Sequence, residues 1–201
     1  MDNRPYRRDP SPVKHKVQYA SAMTFIAGFN YADGVLLCAD TEYTSTQKLQ
    51  ASKIFSTTYN DGSHSIISFT GNMMYGRMGI QEIEYALEDM PRPRTYRAMR
   101  SAVVAVLHAF HHQHLFSQSD VPTVSYLIAV WPAVSRTPRT WLLSTELTAV
   151  VNIRGYDCLG IGSDLGHYLI RPKYKGQGAH LSRAATERIA LGTFREVKRQ
   201  V

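Results

Sequence analysis

His108, His111, His112 and His114 crowd into the stretch HAFHHQHL, and imidazole is among the commonest protein ligands of zinc. His108 and His112 lie four residues apart, a spacing that puts both rings on one helical face. A metal site needs more than that pair. No third ligand is in evidence and no glutamate stands where a zincin motif requires one, so the preferred reading is a polar helix face set in a subunit contact. No metal and no cofactor is expected. Cys38 and Cys158 both sit in apolar runs, GVLLCAD and YDCLGIG, where reduced buried thiols are commoner than disulfide partners. Asp40 with Lys53 has a bland reading as a surface ion pair, Ser163 as a helix cap, and Met73, Met74 and Met78 as core or pocket lining.

A chain of 201 residues, 44% hydrophobic and 19% charged, is the size and composition of one ordinary domain with a real core. No window holds the run of about eighteen apolar residues that a membrane span needs, and the charged first residues lack a signal-peptide core. A soluble cytoplasmic protein without a membrane partner is the expectation. The net charge of +7 raises a nucleic-acid partner as a question. Much of the excess lies at the two ends, from Arg4 to Lys16 and from Arg183 to Arg199, instead of in one central patch interleaved with aromatics. These charges read as solvated tails and faces, and no nucleic acid is expected.

The elements that must position any site follow from local patterns. Residues 1–22 are polar and Pro-bearing with neither strand nor helix period, so they read as a flexible extension or propeptide before a domain over 23–201. TFIAGFNYADGVLLCAD reads as a hairpin turning at Asp33-Gly34, and SKIFSTTYN with SHSIISFTG as a second pair turning at Asn60-Asp61-Gly62. Apolar residues at three- and four-residue steps predict a helix from Asn72 to about Met90, with Gly76 and Gly79 weakening its first turns. A second helix is predicted from about Thr95 to Phe116. VSYLIAVW, RTWLLSTEL and AVVNIRGYDCLGIG then read as strands, and the chain from about Gly178 as a helix. Runs of strands and helices segregated in this way predict an α+β fold.

Several anchors in order resemble the proteasome β-subunit family of N-terminal nucleophile hydrolases. Thr24 opens the first strand, Gly34 follows, and Asp40 comes sixteen residues after the threonine in the phrase DGVLLCAD. Thr44, Lys53-Ile54 (three residues early), Gly71 in SFTGNMMYG, and Ser163 in CLGIGSDLG match further positions in the family's order. For Thr24 alone, an ordinary strand threonine would be the better reading; the register with Gly34 and Asp40 reverses that. The resemblance implies a four-layer αββα sandwich lacking the family's last strands, because the chain stops near the point where they are due. It implies Thr24 as nucleophile, Asp40, Lys53 and Ser163 as its catalytic support, and Gly71 and Thr44 against the substrate backbone. In that register Phe69 and Met73 would line the pocket for the side chain preceding the scissile bond, favouring apolar substrates. Peptide or protein substrates, a homo-oligomeric ring and an ATPase regulator follow from the resemblance alone.

The chemistry that such a threonine performs needs no histidine. Its hydroxyl attacks a carbonyl while its own α-amine, with a reference pKa near 8, takes the proton. A nearby lysine keeps the site positive, and an aspartate fixes the lysine. The amine must be free, and here Met23 precedes Thr24 where the family usually has glycine. Met23 as the true start, trimmed after synthesis, is the preferred reading; a retained extension would leave a catalytically inactive structural subunit. A peptide ligase, releasing the acyl group to an amine instead of water, is the second alternative, and a nucleic-acid-binding module the third.

Overall fold

Every position of FIAGF at the start of the first strand is apolar or glycine, which demands burial on both faces of that strand. In the computed structural model, which describes residues 24–44, 48–92, 94–115, 123–133, 140–174 and 180–201, the strand has both. It is β1 (Phe25–Tyr31), the middle of a three-stranded antiparallel sheet between β2 (Gly34–Ala39) and β10 (Tyr156–Gly160). Phe25, Ala27 and Phe29 point one way, into a core with Ile170 and Tyr174 of α3 (Ser163–Tyr174) and Ala190 and Val197 of α4 (Arg183–Gln200). The alternate residues point the other way: a Cβ added to Gly28 would meet Leu142 of β8 (Trp141–Glu146) at 3.0 Å.

β8 belongs to a five-stranded antiparallel sheet ordered β5 (Ile54–Thr58), β6 (His64–Gly71), β7 (Val124–Trp131), β8, β9 (Ala149–Ile153). Its outer face, with Ile67, Phe69, Tyr126 and Ile128, packs under α1 (Met73–Glu88) and α2 (Tyr96–Phe110), which contribute Ile80, Ile83, Met99 and Val103. β1 lies against β6, β7 and β8 of this sheet. Both helices begin where the sequence predicts: Asn72 accepts from the amides of Met74 and Tyr75, and Thr95 from that of Ala98. Gly76 and Gly79 weaken helix propensity for a packing reason, since added Cβ atoms would lie 2.1 Å from the Phe69 ring and 2.0 Å from the Tyr126 hydroxyl.

Five local readings change. The first hairpin turns at Ala32-Asp33, and Gly34 already pairs with Tyr31 as the first residue of β2. A short hairpin, β3 (Glu42–Thr44) with β4 (Lys48–Gln50), stands between the two expected pairs. AVVNIRGYDCLGIG is two strands in different sheets, because β9 ends at Ile153 and the chain crosses at Arg154-Gly155 to lie beside β1 as β10. Asn30 marks that crossing, its side chain donating to Ile153 O at 2.6 Å and its amide to Gly155 O at 2.8 Å. The segment after Ser163 forms α3, where period reading stopped short; Pro172 falls in its last turn. α2 passes into a π-helical turn, His111–Leu115, in place of a continuous helix to Phe116. Phe116 and the expected extension over residues 1–22 lie outside the described residues. Among the described residues no helix is long and apolar enough to cross a membrane.

Candidate active site

Thr24 is held from both sides at the entrance to β1. Its carbonyl accepts the Ile161 amide at 3.0 Å, one step beyond the β1–β10 ladder, and the residue is buried. Gly160 makes that approach possible. It has φ +97°, and a Cβ there would stand 1.9 Å from Thr24 O and 2.9 Å from Thr70 Oγ1. On the opposite flank, the antiparallel register that pairs Ile26 with Ala39 brings Asp40 beside Phe25, whose carbonyl takes the Asp40 amide at 3.1 Å. The spacing between Thr24 and Asp40 is thus a consequence of two short strands and a tight turn. Asp40 also accepts the Phe25 amide through Oδ2.

Lys53, just before β5, completes the group. Its side chain is fully buried; its ammonium donates to Thr24 Oγ1 at 3.1 Å and is ion-paired with Asp40 Oδ1. A buried cation is tolerated only with such partners. Two charge-bearing groups and one hydroxyl therefore meet where the Coulomb interaction is weakly screened. Such a site lowers the cost of negative charge on Thr24 Oγ1. The surface-pair reading of Asp40 and Lys53 does not describe this geometry.

The remaining sequence candidates stand at different places in the fold. Gly71 ends β6 with φ +102°, and a Cβ would lie 1.9 Å from Thr123 O, so only glycine fits between β7 and the start of α1. Ser163 is the first residue of α3, two residues past Ile161, and α3 rests on Phe25 through Gly166, where a Cβ would come within 2.7 Å of the ring. Thr44 pairs with Lys48 in the small hairpin. Met73 opens α1 and is 38% exposed, whereas Phe69 is wholly buried beneath Gly76. Sequence reasoning missed Gly160 and Thr70 beside the threonine; the only trace of Gly160 was the first glycine of CLGIG.

Among the described residues no three His, Cys, Asp or Glu side chains gather as metal ligands. Cys38 and Cys158 are free thiols. Burial, with the Glu187 carboxylate adding to it, pushes the Cys38 thiol up to about 11, and burial pushes Cys158 up as well. Neither thiol is a nucleophile at neutral pH.

No protein-family model and no curated protein sequence matches the chain. Solved structures do match. The Anbu complex of Pseudomonas aeruginosa, described as a helical assembly, superposes with a TM-score of 0.72 at 14% identity, covering 88% of this chain and 76% of that one. Anbu of Yersinia bercovieri, described as an ancestral beta-subunit, gives 0.70 at 8% identity over 88% and 76%. An Anbu mutant from Hyphomicrobium sp. strain MC1 gives 0.70 at 13% identity over 88% and 75%. This corrects the family to which the sequence motifs pointed: the similar structures are Anbu proteins, a family distinct from the proteasome β-subunits proper. The anchors misled because they mark the common layout of strands and turns, which both families use. At these identities the likeness establishes the fold alone, a mixed α+β fold shared with the Anbu structures.

Proposed function

We propose that the protein is a threonine-type amide hydrolase acting on peptides, with Thr24 as an N-terminal nucleophile on a four-layer αββα sandwich. The observation that carries this reading is the buried Lys53 ammonium donating to Thr24 Oγ1 at 3.1 Å while ion-paired with Asp40. An ordinary strand threonine has no need of a buried lysine.

In this reading the amine of Thr24 is freed by loss of residues 1–23. The Thr24 hydroxyl then adds to the substrate carbonyl carbon and passes its proton to that amine, directly or through water. The amide of Gly71 meets the oxyanion, and the ammonium of Lys53 offsets charge at Oγ1. Expulsion of the leaving amine takes the proton back and leaves an ester on Thr24, which water hydrolyses to the free acid. Asp40 keeps Lys53 charged and in place. The Ser163 hydroxyl supports the amine, Thr44 holds the substrate backbone, and Met73, backed by Phe69, meets the side chain before the scissile bond. The enzyme works as a cytoplasmic homo-oligomer, a reading supported by the helical assembly in the description of the Pseudomonas relative.

Protein beginning at Thr24 should cleave a panel of fluorogenic peptides, and protein carrying an extra residue before Thr24 should not. Equal activity of the two forms would refute an N-terminal nucleophile.

A further inference from the structure

The two helical layers carry different charge. On α1 and α2 the cations Arg77, Arg97 and Arg100 are balanced by Glu82, Glu84 and Glu88. α3 and α4 are not balanced. Arg183 and Arg199 are neutralised along their own helix by Glu187 at 2.7 Å and Glu196 at 3.2 Å. Arg171 and Lys173 of α3 and Arg188, Arg195 and Lys198 of α4 are exposed and have no ion-pair partner among the described residues.

These cations share a surface with apolar side chains. Thr186, Ala190, Thr193 and Val197 form the buried stripe of α4, which turns Ala184, Arg188, Leu191, Arg195 and Lys198 outward at four- and three-residue steps. Leu191 is 58% exposed among them, and Tyr168 on the adjoining α3 is 76% exposed.

Gly192, beside Leu191, is the second observation. A glycine in a helix interior costs about 1 kcal/mol relative to alanine. Gly76, Gly79 and Gly166 have a packing reason, because an added Cβ at each would strike a ring or hydroxyl within 3 Å. At Gly192 an added Cβ would meet nothing within 4 Å, so the fold itself does not require glycine there. A molecule lying close against the helix would.

We infer that the outer face of α3 and α4 docks an acidic polypeptide segment bearing apolar side chains, which lies across Gly192 between Arg188 and Arg195. A second copy of the chain is disfavoured, since two such faces would oppose arginines with arginines. A phosphate backbone would satisfy the cations and leave Leu191 with nothing to bury against. The surface is independent of the Thr24 chemistry.

The test measures binding of a fluorescent random copolymer of glutamate and tyrosine to the full chain, beside poly-glutamate and a DNA duplex of equal charge. The copolymer should bind tightest. Arg188→Glu/Arg195→Glu should weaken it at least tenfold, while Arg77→Glu/Arg97→Glu, the same change of net charge on the other layer, should leave it within twofold. Gly192→Trp should abolish binding with an unchanged circular dichroism spectrum. Equal losses from the two charge reversals, DNA binding as tight as the copolymer, or a self-dimer that Arg188→Glu/Arg195→Glu dissociates would each overturn the inference.

Discussion

Lys53 donates to Thr24 Oγ1 at 3.1 Å, and Asp40, which holds that lysine through one oxygen, holds the amide of Phe25 through the other. The four residues close a ring: Thr24 to Phe25 along the chain, Phe25 to Asp40, Asp40 to Lys53, and Lys53 back to Thr24. The carboxylate thus fixes the cation and the backbone next to Thr24 together.

Replacing Asp40 by asparagine should therefore do two separable things. The amide of Phe25 keeps an acceptor, so β1 stays in place, but the buried Lys53 ammonium loses the counter-charge of Asp40. Breaking a fully buried pair costs about 3–5 kcal/mol. Asp40 retains 24% of its side-chain exposure, so a loss on the order of 2 kcal/mol is expected by denaturant unfolding. Peptidase activity should fall by about a hundredfold or more, as it does when a major electrostatic stabiliser is removed.

Gly160→Ala should damage the site more than its size suggests. The new methyl would be driven to 1.9 Å from Thr24 O at a backbone φ of +97°. Strain of this kind costs about 1–3 kcal/mol. Gly155→Ala is the control, because its Cβ would make an ordinary 3.5 Å contact with Tyr174. Melting temperatures should drop clearly for the first and little for the second, and only the first should lose activity.

Acid stability should depend on Asp61, far from the threonine. Arg94 donates to the Asp61 carboxylate and to Ser63 Oγ, reaches Glu88 O at 3.1 Å, and lies over the Tyr59 ring at 4.8 Å. Burial by itself would raise the Asp61 carboxyl, but the Ser63 hydroxyl and amide and the Arg94 and Arg92 guanidiniums outweigh it and hold it below the usual carboxylate range. A depressed folded-state value means that the stability from ionised Asp61 is fully present above the unfolded value of about 3.9 and is lost as pH falls through the folded one. Asp61→Asn should melt below the parent protein at pH 6, and the gap should shrink as pH drops below about 4. A gap that is constant with pH would contradict this assignment.

Much of this arrangement was legible because it rests on short-range rules. Asn72 and Thr95 announce their helices, and Pro91 stops the first one. The spacing of Thr24 and Asp40 follows from two short strands and a tight turn, whereas Gly71 and Ser163 were legible only through the order of motifs in the family resemblance. What stayed hidden depends on contacts distant in sequence. Nothing in AVVNIRGYDCLGIG shows that its halves pair with different sheets, since Asn30 and Tyr174, which meet the crossing at Gly155, lie far along the chain. Gly160 gave no sign of standing against Thr24, because its φ and its neighbour are set by the β1–β10 pairing. Phe69 offered an apolar side chain near Gly71, and only the structure shows it capped by α1.

The central claim is a nucleophilic threonine activated by its own amine beside Lys53. Its most direct test is mass spectrometry of the protein beginning at Thr24 after treatment with a threonine-directed β-lactone. A single adduct localised to Thr24, absent in Thr24→Ala and slowed at least a hundredfold in Lys53→Met, is the predicted result. An unmodified Thr24, or labelling that survives Thr24→Ala unchanged, would contradict it.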